Sequence, residues 1–587
     1  MLAFGEASAW ASRLEEWSAR IQHRGPDAEG TWHDDDLALT HRRLSIIDPT
    51  SSSDQPLASP DGRFVLAFNG EIYNFRALAP GARGDTQALL QGRPLATSPE
   101  LLRGMFAYAL WDRAARELWL VRDRYGMKPL YVAERPDHVV FGSSARIVGA
   151  IARLEEIDTQ ALAQYLRYGS VWSKGTLIKG VEEVDPGSVK RCGRGLQSRV
   201  RRYWNLSSQL ICNSASDGNS LEDAFRQSVS AHLVSDVPVG LFLSGGVDST
   251  LLALIAKEST QDLTAVTLGF KDLHIDESGL ARSTAAAYGL RHTVVAGEDI
   301  DTQHLDHFLV AGDLPSIDGF NTYLVSRAAS QQSLKVALTG LGADEILGGY
   351  SKHWLVPALT ALARLGRPLT HPVLRALGGP SDKAREIATH RQSLVATYGV
   401  LRSVFTIEDV RQLAGRDPHP PVGVSDELPL HFRLASLEIE NYLRFTLLRD
   451  ADTYSMIHSL ELRMPFVDHV FHRHLREQSP LELMLRRKRV LTARFNDQLL
   501  RDRARRRKTG FRIPYRDYLR GPLSSHVRQL DKGPLNGLLD VDGVSEVVNR
   551  WRAGMLNSVN IWGLVCLDSW VRSYRSLLSN GKTVKDG

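Results

Sequence analysis

The sequence predicts a multidomain chain of mixed class: an α+β part built on antiparallel sheets, then an α/β part with a doubly wound parallel sheet and a helical end. Three observations carry this prediction. Up to about Trp204, short runs rich in Val, Ile, Leu, Phe and Tyr are separated by Gly, Pro and Asp; from Leu221, strand-like runs alternate with helical stretches; beyond about Lys352, helical periodicity dominates. The length of 587 residues also exceeds what one core holds, about 250–300 residues.

In chain order, residues 37–40, 64–68, 118–121 and 139–141 read as antiparallel strands. Residues 207–220, rich in Ser, Asn, Asp and Gly, read as a linker. The predicted boundaries are therefore 1–205 for the first domain, 206–220 for the linker, 221–580 for the second domain and 581–587 for a disordered tail.

The most informative segment runs from Val237 to Thr250. Residues 237–243 lack polar side chains and read as a strand buried on both faces, while residues 251–257 read as a helix. Between them, Leu243 leads into Ser244, Gly245 and Gly246, and the glycines let the backbone approach a ligand. N–H groups of such a turn and of the following helical turn converge on one spot that favours an anion. Asp248 in that spot would repel a phosphate unless a divalent cation lay between them, and Mg²⁺ suits oxygen ligands. The plainer alternative is a tight turn with an Asp or Ser cap.

Residues 263–270 and 334–339 read as further parallel strands. The second ends in another acidic glycine turn, from Thr339 and Gly340 through Leu341 and Gly342 to Asp344 and Glu345. Ligands of open parallel sheets bind outside the carboxyl ends of the strands, so Asp248 and Asp344 are expected to face one crevice and hold Mg²⁺ on a triphosphate.

Composition narrows the classes. No run reaches the ~18 apolar residues of a spanning helix, and the first twenty residues carry Glu6, Glu15 and Glu16 with no apolar segment, so neither membrane insertion nor secretion is expected. Cys192, Cys212 and Cys566 show neither metal spacing nor a disulfide framework, which fits a reducing cytoplasm. The net charge of +5 owes much to residues 486–489 and 501–508. These runs read as a solvated helix face or a site for a polyphosphate leaving group; nothing in the spacing supports nucleic-acid binding.

With these motifs in place, a resemblance becomes specific. The turn at Ser244 to Ser249 resembles the pyrophosphatase loop of enzymes that split ATP into AMP and pyrophosphate. With the turn at Thr339 and the stretch from Ser455 through Glu461 and Arg463 to Phe466, it is similar to the synthetase domain of the asparagine synthetase B family. The resemblance extends to the first domain through His23-Arg24-Gly25-Pro26-Asp27, Arg43-Leu44-Ser45, Asn69-Gly70-Glu71-Ile72-Tyr73-Asn74, Gly104-Met105-Phe106 and Arg122-Asp123-Arg124-Tyr125-Gly126. It implies an Ntn-hydrolase-like four-layer αββα sandwich followed by an ATP-pyrophosphatase domain.

For the second domain the resemblance implies ATP and Mg²⁺ as cofactors and amide formation through an acyl-adenylate. Leu243, Ser244, Gly245, Gly246, Ser249, Val266, Thr339 and Gly340 would bind ATP and pyrophosphate. Asp248 and Asp344 would hold the metal, and Lys508 would stabilise negative charge on the adenylate and departing pyrophosphate. Glu461 and Arg463 are expected to form an interior salt bridge beside the site rather than act directly.

For the first domain it implies a glutamine pocket of Arg43, Asn69, Gly70, Glu71 and Asp85, but the family's nucleophilic N-terminal cysteine is absent, since the sequence begins Met1-Leu2-Ala3. Two explanations stand: a degenerate pocket, suggested by the short stretch before Asp85 and by Gln87 where Glu is usual, or a natural start about half a dozen residues upstream, the favoured one. As written, the chain is expected not to hydrolyse glutamine.

Leu341 stands where asparagine makers usually carry an acid, and Thr453 replaces a common arginine, which puts aspartate in doubt as acceptor. The implied partners are a carboxylate substrate, aspartate or a specialised acid or peptide, with glutamine or ammonia; no nucleic acid or membrane is expected, and a homodimer is left open. Two alternatives to an asparagine synthetase are carried: a specialised ligase such as a lasso-peptide cyclase or β-lactam synthetase, and a nucleotide- or glutamine-binding pseudoenzyme.

Overall fold

The computed structural model describes residues 1, 3–91, 95–211, 218–260, 262–269, 276–296, 302–364, 383, 385–387, 393–506 and 513–582. The first part is an antiparallel sandwich. Strands β1 (Ala28–His33) and β2 (Ala38–Arg43) pair with each other. A six-stranded sheet is formed by β3 (Leu57–Ala58), β4 (Phe64–Ile72), β5 (Gly104–Asp112), β6 (Glu117–Arg122), β10 (Ser188–Cys192) and β11 (Ser198–Arg202), in the order β11-β10-β6-β5-β4-β3. The strands β7 (Tyr131–Glu134), β8 (Val139–Gly142) and β9 (Glu182–Glu183) form a third sheet.

Strand β5 explains the layering. Side chains alternate across a strand, so Ala107, Ala109 and Trp111 enter one core with Leu39, Leu120 and Val132, while Phe106, Tyr108 and Leu110 enter another with Ile47, Phe75 and Leu89. Both faces are covered, so β5 is apolar almost throughout instead of alternating with polar residues. Helices Ala11–Ala19 and Ala145–Ile151 cover the smaller sheets, and Asp85–Leu90 packs on β4. This is the expected αββα order.

The second part carries the all-parallel sheet β14-β13-β12-β15-β16. Its strands are β12 (Val239–Phe242), β13 (Leu263–Gly269), β14 (Arg291–Ala296), β15 (Val336–Leu338) and β16 (Glu461–Arg463). The chain leaves β12 toward β13 on one side and returns to β15 on the other. The strand order thus reverses beside β12, which opens a crevice at its carboxyl end. Strand β16 is an edge strand on which Glu461 and Arg463 share one face.

Part of the expected linker is helical. Residues Leu206–Ile211 form a helix, and Leu206 and Leu210 are buried in a core shared with both domains; residues 212–217 lie outside the described residues. A second shared core joins Tyr131, Val148 and Leu162 of the first domain to Trp562, Val565 and Trp570 of the helix Ser558–Lys582. The two domains therefore bury apolar surface against each other. Among the described residues, no helix is long and apolar enough to cross a membrane.

Candidate active site

Helix Val247–Ser259 begins directly after β12, with Gly246 at its N-cap. The turn before it is braced by two hydroxyls: Ser244 N–H donates to Ser249 Oγ at 3.1 Å, Gly246 N–H donates to Ser244 Oγ at 3.1 Å, and the two hydroxyls lie 3.0 Å apart. Gly245 N–H donates to Glu277 Oε2 at 3.0 Å, so the predicted anion cradle faces a carboxylate of this chain. Leu243 N–H donates to the Val266 carbonyl at 3.0 Å and ties β12 to β13 at the mouth of the crevice.

The two acidic turns touch. A Cβ on Gly340 would lie 3.1 Å from the Asp248 Cβ, so a side chain there would press the turns apart. Asp248 and Asp344 converge on Lys488, whose Nζ lies 2.5 Å from Asp248 Oδ2 and 2.5 Å from Asp344 Oδ1. Burial opposes the charge of Lys488, but the two aspartates outweigh it and hold the ammonium above the usual lysine range. Glu345, next to Asp344, is buried, accepts from Tyr350 Oη at 2.5 Å and is pushed up to about 7 by burial and by Asp344.

Lys508 lies outside the described residues. The lysine brought to the carboxylates is Lys488, in the basic run 486–489 that the sequence offers as a solvated face or a polyphosphate site. Glu277 was also not foreseen. Neither residue sits in a patterned motif, and both reach the crevice only through folding.

The segment of residues 313–323 is held from three sides. Asp313 accepts from Ser144 Oγ at 2.5 Å and Ala145 N–H at 2.8 Å, Ser316 Oγ donates to Asp450 Oδ2 at 2.5 Å, and Tyr442 Oη donates to Asp318 Oδ2 at 2.7 Å. Tyr442 belongs to a helix that widens into a π-helix over Glu438–Leu448, a form that recurs at functional sites. Leu341 packs against the core and offers no proton acceptor.

In the first domain, a cavity of about 210 Å³ is lined by Met1, Arg43, Asn69, Gly70, Glu71 and Asp85 and reaches Met456 and Glu461 of the second domain. Gly70 has φ +122° and its backbone lies against β5: a Cβ would meet Met105 O at 2.0 Å. Asn69 Nδ2 and Glu71 Oε2 are buried without a hydrogen-bond partner. Asp85 accepts from the N–H groups of Ile72 at 3.0 Å and Thr86 at 2.8 Å, yet burial pushes its carboxyl up to about 6.

Arg43 lines the cavity and also braces the chain beside it. Its two Nη atoms are engaged by the carbonyls of Ile47, Asp48 and Thr50 and by Asp54 Oδ1, which makes it an organiser of the loop that follows β2. Cys192 and Cys566 are buried away from the cavity lining, and Cys212 lies outside the described residues.

Between the pockets lies a buried charge network. Glu461 pairs with Arg463 at 2.9 Å and Lys128 at 3.3 Å, Arg463 pairs with Glu71 at 3.4 Å, and Asp452 pairs with Arg24 at 2.7 Å and Lys128 at 3.5 Å. Glu461 and Arg463 are thus an interior pair, and they also span the domain boundary.

Residues 220–572 match the family described as Asparagine synthase, and residues 2–204 match the Glutamine amidotransferase domain. The chain is similar to Asparagine synthetase [glutamine-hydrolyzing] 1 of Bacillus subtilis, 29% identical over 591 residues that span 95% of this chain and 93% of the relative. A Putative asparagine synthetase [glutamine-hydrolyzing] of Mycobacterium tuberculosis is 30% identical over 620 residues, 96% of this chain and 94% of its own. Amidase chry2 of Gibberella zeae matches more narrowly, 28% identical over 59% of this chain and 56% of its own.

Proposed function

The chain belongs to the asparagine synthase family, whose members form C–N bonds as ligases, and we propose that it activates a carboxylate with ATP and transfers the acyl group to ammonia or an amine. One observation carries this reading: Asp248 and Asp344, on turns after neighbouring strands, approach a single point at 2.5 Å each.

That point suits a hard cation, because two carboxylate oxygens already demand positive charge there. Asp248 and Asp344 would hold Mg²⁺, which when bound neutralises phosphate charge. The remaining roles belong to the chain's own groups. Ser244, Ser249 and the N–H groups of Gly245 and Gly246 would receive phosphate oxygens in place of Glu277. Val266, Thr339 and Gly340 would line the nucleotide. Lys488 would swing its ammonium from the carboxylates to the leaving pyrophosphate, and Lys508, by resemblance, would add a second. A substrate carboxylate oxygen would bond to the α-phosphorus as the bond to pyrophosphate breaks; the amine would then attack the acyl carbon and release AMP.

In the first domain, Glu71 and Asp85 would bind the α-ammonium of glutamine, with Asn69 and Gly70 beside its amide and Arg43 shaping the pocket. A second reading is a specialised amide ligase that uses another amine and keeps this pocket for binding; it is favoured by Leu341, which packs against the core where asparagine makers usually carry an acid. ATP/pyrophosphate exchange screened across carboxylates, aspartate first, tests the function. Exchange with aspartate supports an asparagine synthetase, exchange with a peptide or another acid alone supports the second reading, and no exchange with any acid defeats both.

A further inference from the structure

Arg463 touches both sites. Its carbonyl accepts from Thr339 N–H at 2.9 Å, which holds the first residue of the nucleotide turn. Its guanidinium runs the other way, donating through Nη1 to the carbonyls of His232 at 3.0 Å and Val234 at 2.5 Å and through Nε to Glu461 at 2.9 Å. The remaining Nη2 lies 3.4 Å from Glu71 Oε1 in the amino-acid pocket.

That last contact is incomplete. Arg463 is fully buried, yet its Nη2 makes no hydrogen bond, and Glu71 Oε2 has no partner either. Glu71 is crowded as well: burial and then the neighbouring carboxyl groups of Asp85 and Glu461 push its carboxyl well up, against the pull of Arg463 and Lys128. A bound amino acid brings an ammonium to the side of Glu71 and Asp85 and changes the pull of Glu71 on Arg463. The backbone of Arg463 is paired with Leu338 at the end of β15 and its carbonyl holds the Thr339 amide, so the pocket contact and the nucleotide turn meet in one residue.

We propose that Arg463 is a positioning residue that couples occupancy of the amino-acid pocket in the first domain to the nucleotide turn at Thr339–Asp344, so that glutamine tightens ATP binding. The inference rests on the reading of the first-domain pocket as a glutamine site. Coupling is reciprocal, so ATP tightens glutamine binding by the same factor.

The test is calorimetry on the full chain. Glutamine binding is measured first; ATP with Mg²⁺ is then titrated with and without saturating L-glutamine. We expect ATP affinity to rise about five- to tenfold, within the usual range of such couplings. In Arg463→Lys the charge is kept but one nitrogen cannot serve both Glu71 and the two carbonyls. Each ligand alone should bind within about threefold of the parent, while the coupling falls below about twofold. Should Arg463→Lys fail to fold, hydrogen exchange on the parent decides: glutamine alone should slow exchange of the Thr339 amide. Absence of glutamine binding overturns both the pocket and the coupling. Glutamine binding with unchanged ATP affinity and unchanged exchange at Thr339 overturns the coupling alone, as does undiminished coupling in a folded Arg463→Lys.

Discussion

The two pockets hold charge in opposite ways. At the carboxyl end of the parallel sheet, Asp248 and Asp344 meet a cation from this chain, Lys488, at 2.5 Å on each side. In the antiparallel domain, Glu71 and Asp85 crowd together behind a single partly engaged guanidinium, and Asp85 is pushed up to about 6. The first site sets one ammonium between two carboxylates and can offer that cation to phosphate; the second holds its carboxyl groups without such a bridge. A residue's chemistry thus depends less on its type than on which charges folding brings beside it.

The comparison is most directly broken at Asp248. Asp248→Ala should lower ATP/pyrophosphate exchange by at least about a thousandfold, on the scale of losing a principal electrostatic group, while the chain stays folded, because Asp344 still pairs with Lys488. Surviving exchange would remove the metal assignment. Lys488→Ala should reduce exchange by about a hundredfold and leave two carboxylates facing each other; raising Mg²⁺ should recover part of the loss, which titration of the rate against Mg²⁺ would show.

Gly70→Ala probes the other pocket. Positive φ and the approach to Met105 O at 2.0 Å should together cost about 3 kcal/mol, read by urea unfolding, with glutamine binding lost. A variant as stable as the parent would mean that β4 and β5 can separate.

The smallest expected effect concerns pH. Asp85 holds its proton up to about 6 when folded, against 3.8 as its ordinary value. Between these values the folded chain binds the extra proton, so this group's contribution to stability is lost as pH rises through the window. Affinity for an ammonium ligand runs the other way, because only the ionised carboxylate attracts it. Glutamine affinity should therefore rise about tenfold from pH 5 to 7, following the ionised fraction, and Asp85→Asn should flatten the profile in calorimetry.

Much of this was legible before folding was considered. Residues 237–243 read as a doubly buried strand because they lack polar side chains, residues 263–270 read as a further parallel strand from their place in the alternating pattern, and β12 and β13 lie within them. Asp248 and Asp344 could be paired because both follow such strands. By contrast, residues 206–211 looked like linker because their polar character hides two core leucines, Leu206 and Leu210. That Arg43 also binds the carbonyls of Ile47, Asp48 and Thr50 could not be read from its motif.

The sequence by itself determined the two domain classes and the two acidic turns, because periodicity, glycine turns and residue identity are local properties. Only the tertiary structure decided that Lys488 completes the aspartate pair and that Arg463 reaches from Thr339 to Glu71. Lys488 lies 240 residues from Asp248, and no local pattern encodes which distant charge will fill a buried gap. That choice is made when the shared cores close and exclude water, leaving each buried carboxylate to find its cation among the groups folding has placed within reach.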